Sequence, residues 1–355
     1  FFLIDGQLQR MERCSKGPSL PLKPISDLKP GEWTFELDQV RTKQARPGYI
    51  HGSFYLRTPG DQPLEKAGIE YPRRMAGVSM HGHCAHLIVR NVTATRVYND
   101  GFNLSDCVDC RFEKIAAIDC ADDGISAHGA CRYSVEGFVS IGNATGICDT
   151  GSSVTSYRRV LIRDCIGFDL FFLDTGTYTV RDALVDSSAA KAVFVLGKDA
   201  SQPPCRLSLE NVLVRRLKSS QELRVNENCV VTLNRVTLDG LDMQTVGGSI
   251  VMNRSRISGM VPAIAERKEV VRPPRIHRWP ATRWSGSDNV YAVESIRVAD
   301  HSYSYLTRSQ FFDLNANETN SRWVDPASAD RPEPGIGASF DEIKLPNPPD
   351  LPFGK

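Results

Sequence analysis

The sequence lacks any apolar run approaching the roughly 18 residues of a membrane-spanning helix, so it predicts no membrane insertion. It also lacks an excess of charge of either sign, because 43 Lys and Arg residues stand against 42 Asp and Glu residues. A chain with a formal net charge of +1 has little electrostatic attraction for nucleic acid, and we expect no nucleic-acid partner. No initiator Met precedes the opening FFLIDG, and we therefore expect a secreted or periplasmic protein whose signal peptide has been removed.

A short phrase returns every 22 to 24 residues in the first half of the chain. Its copies are GVSMHG at 77–82, GFNLSD at 101–106, GISAHG at 124–129 and GICDTG at 146–151. Apolar and polar residues alternate within each copy, which is typical of a β-strand with one buried face. A repeat of this length indicates a solenoid, in which each turn buries its apolar face against its neighbours.

A second strand follows each phrase and repeats at a similar spacing. Its equivalent positions are Val92, Ile115, Phe138, Val160, Ala183, Val212 and Val236, with steps of 23, 23, 22, 23, 29 and 24 residues. The long step contains Gly197–Pro204, which we interpret as an insertion at a turn. Short β-branched strands at this period, without helical spacers, predict an all-β fold, a single-stranded right-handed parallel β-helix.

We expect one domain over residues 1–355, with three parts. Residues 1–74 form a lead-in and an N-terminal cap, in which 28–37 and 52–63 are strand pieces that protect the first coil from edge pairing. Residues 75–260 form the coils. Residues 261–355 form a loop, rich in Pro and Arg at 271–284, and a C-terminal arm that packs along the solenoid and covers its far end.

The ten cysteines are predicted to be mainly buried thiols. Cys84, Cys107 and Cys131 follow the same point of three consecutive coils and would form a stack. Disulfides would suit a secreted protein, but the sequence does not define their pairing. The CVDC segment at 107–110 lacks a second ligand pair, so we expect no zinc site and assign no metal ligand.

The order of several segments resembles secreted bacterial right-handed parallel β-helix proteins of the pectate-lyase-like superfamily. These segments are GEW at 31–33, FYLRTPGD at 54–61, SDNVY at 287–291 and NSRWVDP at 320–326, with the coils between them. The resemblance covers nearly the whole chain and implies a glycoside hydrolase, a polysaccharide lyase or an epimerase. Because one fold supports many activities, the function has to be argued from a site.

The coil entrance at Asn99-Asp100-Gly101-Phe102-Asn103, followed one coil later by Asp122-Asp123-Gly124, is similar to the polygalacturonase family of glycoside hydrolases. That resemblance implies that Asp100, Asp122 and Asp123 act as the general acid and as activators of the attacking water. This chain departs from the family at Ala144-Thr145-Gly146, where the family has Gly-His-Gly. Arg181 is the nearest counterpart of the family's basic substrate clamp.

Grouped carboxyl groups suit glycosidic cleavage, which needs one protonated carboxyl group and one carboxylate. Like charges that lie close together disfavour simultaneous ionisation, so that one carboxyl group can keep its proton. Asp before Gly is also an ordinary turn residue. The doubled Asp122-Asp123 favours a functional role because a turn needs only one. Coils about 4.8 Å apart suit a retaining enzyme, and side-chain directions could open the gap to that of an inverting one.

Further polar residues on the outer face of these strands are predicted to line a groove. His81 and His128 take the same outward position two coils apart, with Ser105 between them. Asn103 and Ser126 take a neighbouring outward position. We expect His128 to assist catalysis beside Asp123, and the other residues to contact substrate. HGHCAH at 81–86 is not predicted to bind a metal, because a turn must separate His86 from the other histidines.

Two alternatives to hydrolysis remain. Asp149 and Asp174 are expected to extend the groove and contact substrate in either kind of enzyme. In a polysaccharide lyase or epimerase acting on a uronic-acid-containing glycan, they would also hold Ca²⁺, with Arg158, Arg159 or Arg181 as the base. A non-catalytic glycan-binding module would instead show an aromatic groove, whereas the outward positions noted above are Ser, Asn and His. The favoured prediction is a hydrolase that needs no cofactor and takes a polysaccharide or oligosaccharide as its substrate.

Overall fold

The computed structural model describes most of the chain. The described residues are 2–4, 7–9, 23–45, 51–82, 84–217, 222–265, 268–298, 301–304, 318–328, 335–340 and 343–349. Within these ranges no helix is long and apolar enough to cross a membrane.

Strands dominate the described part of the chain. They are, in chain order, β1 (Phe2–Ile4), β2 (Gln7–Gln9), β3 (Trp33–Leu37), β4 (Gly52–Leu56), β5 (Ile69–Glu70), β6 (Val78–Met80), β7 (Ile88–Arg90), β8 (Thr93–Thr95), β9 (Phe102–Ser105), β10 (Cys110–Ile118), β11 (Asp123–His128), β12 (Arg132–Ile141), β13 (Thr145–Asp149), β14 (Val154–Arg163), β15 (Phe168–Asp174), β16 (Thr177–Ser187), β17 (Lys191–Gly197), β18 (Cys205–Arg216), β19 (Glu222–Val225), β20 (Cys229–Asp239), β21 (Asp242–Thr245), β22 (Ser249–Asn253), β23 (Arg256–Ser258), β24 (Val261–Ala265), β25 (Lys268–Arg272), β26 (Arg275–Arg278), β27 (Arg283–Ser287), β28 (Val290–Tyr291), β29 (Ser295–Val298), β30 (His301–Ser304), β31 (Glu318–Thr319) and β32 (Arg322–Trp323). The described helices are α1 (Gln39–Gln44) and four 3-10 turns, at Ile25–Asp27, Pro59–Asp61, Leu64–Lys66 and Pro326–Ser328.

The strands stack as a parallel β-solenoid of about 9 turns, with 55% strand and 6% helix, which confirms the predicted all-β fold class. One sheet of 14 strands contains the long strands β10, β12, β14, β16, β18 and β20, and we call it the long-strand sheet. A second sheet of 11 strands runs from β6 through β9, β11, β13, β15 and β17 to β30, and we call it the short-strand sheet. Their inward side chains meet in one continuous apolar core.

The backbone register confirms the column of equivalent residues in the long strands. Ile115 pairs with Phe138, and the pairing continues through Val160, Ala183, Val212 and Val236. The residue before each of these positions has a positive φ, which bends the strand. The six bend residues are Lys114 (50°), Gly137 (81°), Arg159 (55°), Asp182 (53°), Asn211 (55°) and Arg235 (54°). Each bend interrupts the alternation of the strand, so that one long strand can follow two sides of the coil.

The insertion predicted between the fifth and sixth equivalent positions, Ala183 and Val212, is a turn. β17 ends at Gly197 and β18 begins at Cys205, and exposed turn residues lie between them. The predicted strand pieces near the N-terminus also exist, because β3 and β4 form an antiparallel pair from Trp33↔Leu56 to Leu37↔Gly52. Their role as a cap over the first coil stays a prediction.

The predicted end of the coils near residue 260 is wrong. β26, which lies inside the segment expected to be a loop, pairs in parallel with β21, and β27 pairs with β22. Parallel pairing continues from β28 to β32, which ends at Trp323. The antiparallel hairpin β24–β25 is inserted after β23 and lengthens the repeat, and Pro and Arg residues separate the short strands that follow. This insertion breaks the 22–24-residue period on which the sequence prediction depended.

The C-terminal segment lies along the side of the solenoid. The backbone N–H groups of Ala338 and Ser339 donate to Thr237 Oγ1 (3.0 Å) and Asn211 Oδ1 (2.8 Å) in the long-strand sheet. Further on, residues 344–347 and Pro349 line a cleft with Ile115 and Val139. The described part of the arm therefore packs along the solenoid, as predicted, and its contacts are with the coils of β10 to β20.

The cysteines behave largely as the sequence predicted. The nine cysteines within the described residues are free thiols, and all of them except Cys84 are buried. Burial in contact with apolar neighbours makes them small core residues.

The buried Asn143 links its own coil to the preceding coil. Its Oδ1 accepts a hydrogen bond from Cys120 N (2.8 Å), and its Nδ2 donates to Ala117 O (3.0 Å) and Ser140 Oγ (2.8 Å). Asn143 is 0% exposed, so water cannot replace these bonds.

We expect Asn143→Ala to lower the free energy of unfolding by about 2 kcal/mol, because the buried groups that it leaves lose their partners. Urea denaturation followed by circular dichroism measures the change. Thr177→Ala, at an exposed strand position, is the control and should stay within about 0.5 kcal/mol of the unsubstituted protein. Equal stability of the two variants would contradict a bridging role for Asn143.

Candidate functional site

Three aspartates converge where consecutive coils enter the short-strand sheet. One carboxylate oxygen from each of Asp100, Asp122 and Asp123 lies within 4.8 Å of the other two. Asp100 directly precedes the Gly101 turn into β9, and Asp123 is the first residue of β11. The structure therefore brings together the three aspartates that the sequence singled out, and we call them the aspartate cluster.

Glycines on the coil entrance permit this close stacking. A Cβ atom on Gly101 would lie 2.6 Å from Gly124 O, and a Cβ atom on Gly124 would lie 2.6 Å from Gly146 O. Gly101 N also donates a hydrogen bond to Asp123 O (2.8 Å), which fixes one coil above the other. Any larger residue at these glycines would push the coils apart and separate the carboxylates.

The three aspartates differ in their surroundings. Asp100 and Asp123 are each only 2% exposed, whereas Asp122 is partly exposed. Asp100 Oδ1 accepts a hydrogen bond from the backbone N–H of Asp123 (3.1 Å). Three hard oxygen donors at this separation can share a proton, activate a water molecule or hold a divalent cation.

The outward column beside the cluster contains the predicted polar residues. Asn103 pairs with Ser126 in the backbone register. Asn103 is 8% exposed, whereas Ser126 is 0% exposed, so the prediction that Ser126 lines a groove is wrong. His128 pairs with Ser105, and its ring Nε2 lies 3.0 Å from Ser126 Oγ. The other ring nitrogen of His128 lies 3.4 Å from Thr150 Oγ1, and the residue is exposed.

His81 extends the column of Ser105 and His128 by one coil. It follows Met80, which pairs with Leu104, so it takes the place next to Ser105, and it is exposed. His86 lies elsewhere, with Nδ1 3.9 Å from a carboxylate oxygen of Asp109. His83 of the HGHCAH segment lies outside the described residues.

Asp149 does not extend the groove, and this prediction is wrong. In the register Asp149 pairs with Ala127, whose side chain faces the core, and Asp149 is 0% exposed. The phrase that Asp149 and Asp174 share suggested that the two residues are equivalent, but the backbone register places them at different positions. Asp149 pairs with Phe172, while Asp174 pairs with Gly197 two positions further along.

Hydroxyl groups inside the solenoid satisfy the buried Asp149 carboxyl group. Thr155 Oγ1 donates at 2.6 Å, Tyr133 Oη at 2.8 Å and Tyr157 Oη at 2.9 Å. Burial raises the pKa of Asp149 to about 6, while the hydrogen bonds from these hydroxyls oppose the rise. This network belongs to the core and has no access to substrate.

Asp174 and Arg181 lie apart from the aspartate cluster. Asp174 ends β15, accepts a hydrogen bond from Gly151 N (2.8 Å) and lies 3.9 Å from Lys198 Nζ. Arg181 lies on β16 of the long-strand sheet and pairs with Glu210 at 2.9 Å, so the prediction that it clamps substrate near the cluster is wrong. Its strand belongs to the second set of repeats, which faces another side of the coil.

The other candidate bases of the lyase alternative are also engaged on the long-strand sheet. Arg158 pairs with Asp182 at 3.2 Å, and Arg159 pairs with Glu136 at 2.6 Å. Neither arginine lies on the sheet that carries the aspartate cluster.

The sequence reasoning missed an aromatic cluster on the short-strand sheet. Phe168 and Phe171 have ring centroids 4.5 Å apart, and Phe171 stacks on Phe194 at 5.3 Å with 20° between the ring planes. The signal was present in FDLFFLD and KAVFVLG, because alternation places Phe171 and Phe194 on the outer face of successive strands.

Comparisons of the chain with protein-family models, with curated proteins and with solved structures found no match. The fold is therefore established by the structure, and any function has to be argued from the site.

The raised pKa of Asp149 predicts a pH-dependent difference between the protein and its Asp149→Asn variant. In the folded chain this pKa is about 6, against about 3.9 for an unperturbed aspartate. The stabilising effect of the protonated Asp149 is complete below about pH 4 and is lost as the pH rises through about 6. Relative to the variant, the protein should lose about 2 kcal/mol between pH 4 and 7.

Urea unfolding of both proteins across this pH range measures the difference. Asp164→Asn, at an exposed position, serves as the control and should show no such trend. A difference between the protein and Asp149→Asn that stays constant with pH would rule out a buried, protonated Asp149.

Proposed function

We propose that this protein is a carbohydrate-active enzyme, a glycoside hydrolase that cleaves glycosidic bonds in a polysaccharide. The observation that carries the proposal is the convergence of Asp100, Asp122 and Asp123, with carboxylate oxygens within 4.8 Å of one another. Hydrolysis of a glycosidic bond needs one carboxyl group as acid and one carboxylate as base or nucleophile, and this cluster supplies both.

The exposure of the three aspartates suggests a division of roles. Asp122 is the most exposed of them and would donate the proton to the leaving oxygen. Asp100 accepts a backbone hydrogen bond, as a carboxylate does, and would act with Asp123 on the attacking water. His128, on the same strand as Asp123, would contact the sugar or assist proton transfer.

The remaining outward residues would contact the substrate. Asn103, Ser105 and His81 lie in the two columns beside the cluster. Hydroxyl, amide and imidazole groups suit the hydrogen-bonding groups of a sugar. The proposal needs no cofactor, and it includes a secreted or periplasmic location, where polysaccharides occur.

A glycan-binding module is the second candidate, and the aromatic cluster favours it. Phe168, Phe171 and Phe194 form a surface that could bind sugar rings without any catalysis. The Ca²⁺-dependent lyase has no comparable support, because Asp149 lies in the core and the arginines pair with acids on the other sheet.

A digest of a broad glycan panel separates these candidates. We expect new reducing ends without ultraviolet absorbance from carbon–carbon double bonds, and no loss of rate when a chelator is added. Reducing ends together with absorbance, both lost with the chelator, would identify a lyase. Binding without either signal would identify the binding module.

We expect Asp123→Asn to lower kcat by about 100-fold or more, because the substitution removes the ionisable group while keeping its size. Asp122→Asn and Asp100→Asn should also lower kcat. Asp164→Asn is the matched control, since Asp164 is an exposed aspartate outside the cluster. The rate of reducing-end release measures the effect, and circular dichroism verifies the fold. Full activity of Asp123→Asn would refute the assignment.

A further inference from the structure

The phenylalanine platform is defined as Phe168, Phe171 and Phe194, of which Phe171 and Phe194 are partly exposed and Phe168, 9% exposed, packs beside them. The neighbours of Phe171 along β15 are inward, since Leu170 and Phe172 are 0% exposed. In the same way, Val193 and Val195 on either side of Phe194 are 0% exposed. Strand alternation therefore directs the rings of Phe171 and Phe194 away from the core.

The platform continues the columns that carry the aspartate cluster. In the backbone register Asp123 pairs with Thr145, which pairs with Phe168 on the next coil. The neighbouring column runs from Ser126 through Cys148 to Phe171 and then Phe194. Two coils separate Asp123 from Phe168, a distance of about 10 Å along the solenoid axis. A short oligosaccharide lying along the axis would span both places.

Charged and polar groups surround the apolar rings. Lys191 Nζ lies 5.5 Å from the ring centroid of Phe194 and donates to Glu222 Oε1 at 3.0 Å. Arg224 pairs with Phe194 in the register, and its Nε donates to Asn226 Oδ1 at 3.1 Å. An apolar surface with hydrogen-bonding groups at its edge matches a pyranose ring, whose C–H face is apolar and whose hydroxyls lie around its rim.

We propose that the phenylalanine platform binds a pyranose ring of the same glycan chain that is cleaved at the aspartate cluster, so that the polysaccharide lies along the solenoid axis. This inference rests on the proposed function and extends it to the orientation and minimum length of the substrate. Phe171 and Phe194 stack on each other, so the ring surface that they leave uncovered would attract the C–H bonds of the sugar, and this attraction requires an aromatic ring rather than apolar area alone. The platform would not contribute to the binding of substrates that are too short to reach it.

The test compares Phe194→Ala with Phe194→Trp on oligogalacturonides and on xylo-, manno- and cello-oligosaccharides, from disaccharides to octasaccharides. We expect Phe194→Ala to lower kcat/KM about tenfold on the longest cleaved oligosaccharides, through a higher KM, with no change on the shortest. Phe194→Trp keeps an aromatic face and should retain the activity of the unsubstituted protein.

Leu196→Ala is the matched control, because Leu196 lies on the same strand and outer face and is 39% exposed. It should leave kcat/KM unchanged at every length. An equal loss at all lengths in Phe194→Ala, or the same loss in Leu196→Ala, would overturn the platform.

The two proposals can fail separately. A fully active Asp123→Asn variant beside a length-dependent loss in Phe194→Ala would remove the aspartate assignment and keep the platform. An inactive Asp123→Asn variant beside an unaltered Phe194→Ala would do the reverse. If none of the oligosaccharides is cleaved, saturation-transfer NMR with the same oligosaccharides tests whether they bind to the platform. Saturation transfer to an oligosaccharide that is lost in Phe194→Ala supports the platform. The absence of saturation transfer to every oligosaccharide tested would overturn it.

Discussion

Parallel backbone hydrogen bonds join each coil of the solenoid to the next, and they set the register of every side-chain column. Within a column, neighbours stand about 4.8 Å apart whatever their chemistry. The coil entrance tolerates this distance because Gly101, Gly124 and Gly146 leave no Cβ atom in the gap. The placement of polar and apolar groups on the outer face therefore follows from this stacking.

The stacking explains how carboxylates of different coils meet. Asp100 and Asp123 occupy successive coils, and like charges on two neighbouring carboxyl groups repel each other. The backbone holds them together, with the Asp123 N–H donating to Asp100 Oδ1 and so offsetting part of the repulsion. Stacking also creates the phenylalanine platform, since Phe171 and Phe194 become parallel neighbours only when β15 pairs with β17.

Polar side chains inside the solenoid depend on protein partners, because water does not reach them. Asp149 and Asn143 are each 0% exposed, and each is satisfied by several protein partners. Asn143 joins backbone groups of adjoining segments and so contributes to coil geometry. Asp149, within a set of hydroxyl groups, carries a raised pKa because burial outweighs its hydrogen bonds. An acidic residue in a repeated surface phrase can thus be a core residue with no contact to solvent.

The solenoid could be predicted from the amino-acid sequence, because a 22–24-residue period and strict alternation leave few other ways to bury the apolar residues. The sequence also placed Asp100, Asp122 and Asp123 together, since their phrases align without gaps. The prediction that the coils end near residue 260 failed, because the hairpin β24–β25 interrupts the period there.

The position of several later residues depends on how the coils pair, and local sequence patterns do not show this pairing. Asp149 and Asp174 share a phrase, but Asp149 stands in the inward column of Ala127 and Phe172, whereas Asp174 lies two positions further along, at the end of β15. Arg181 likewise lies on the other sheet. The physical reason is that a local phrase specifies a strand, while pairing with the neighbouring coil specifies where that strand begins and which side chains it turns outward.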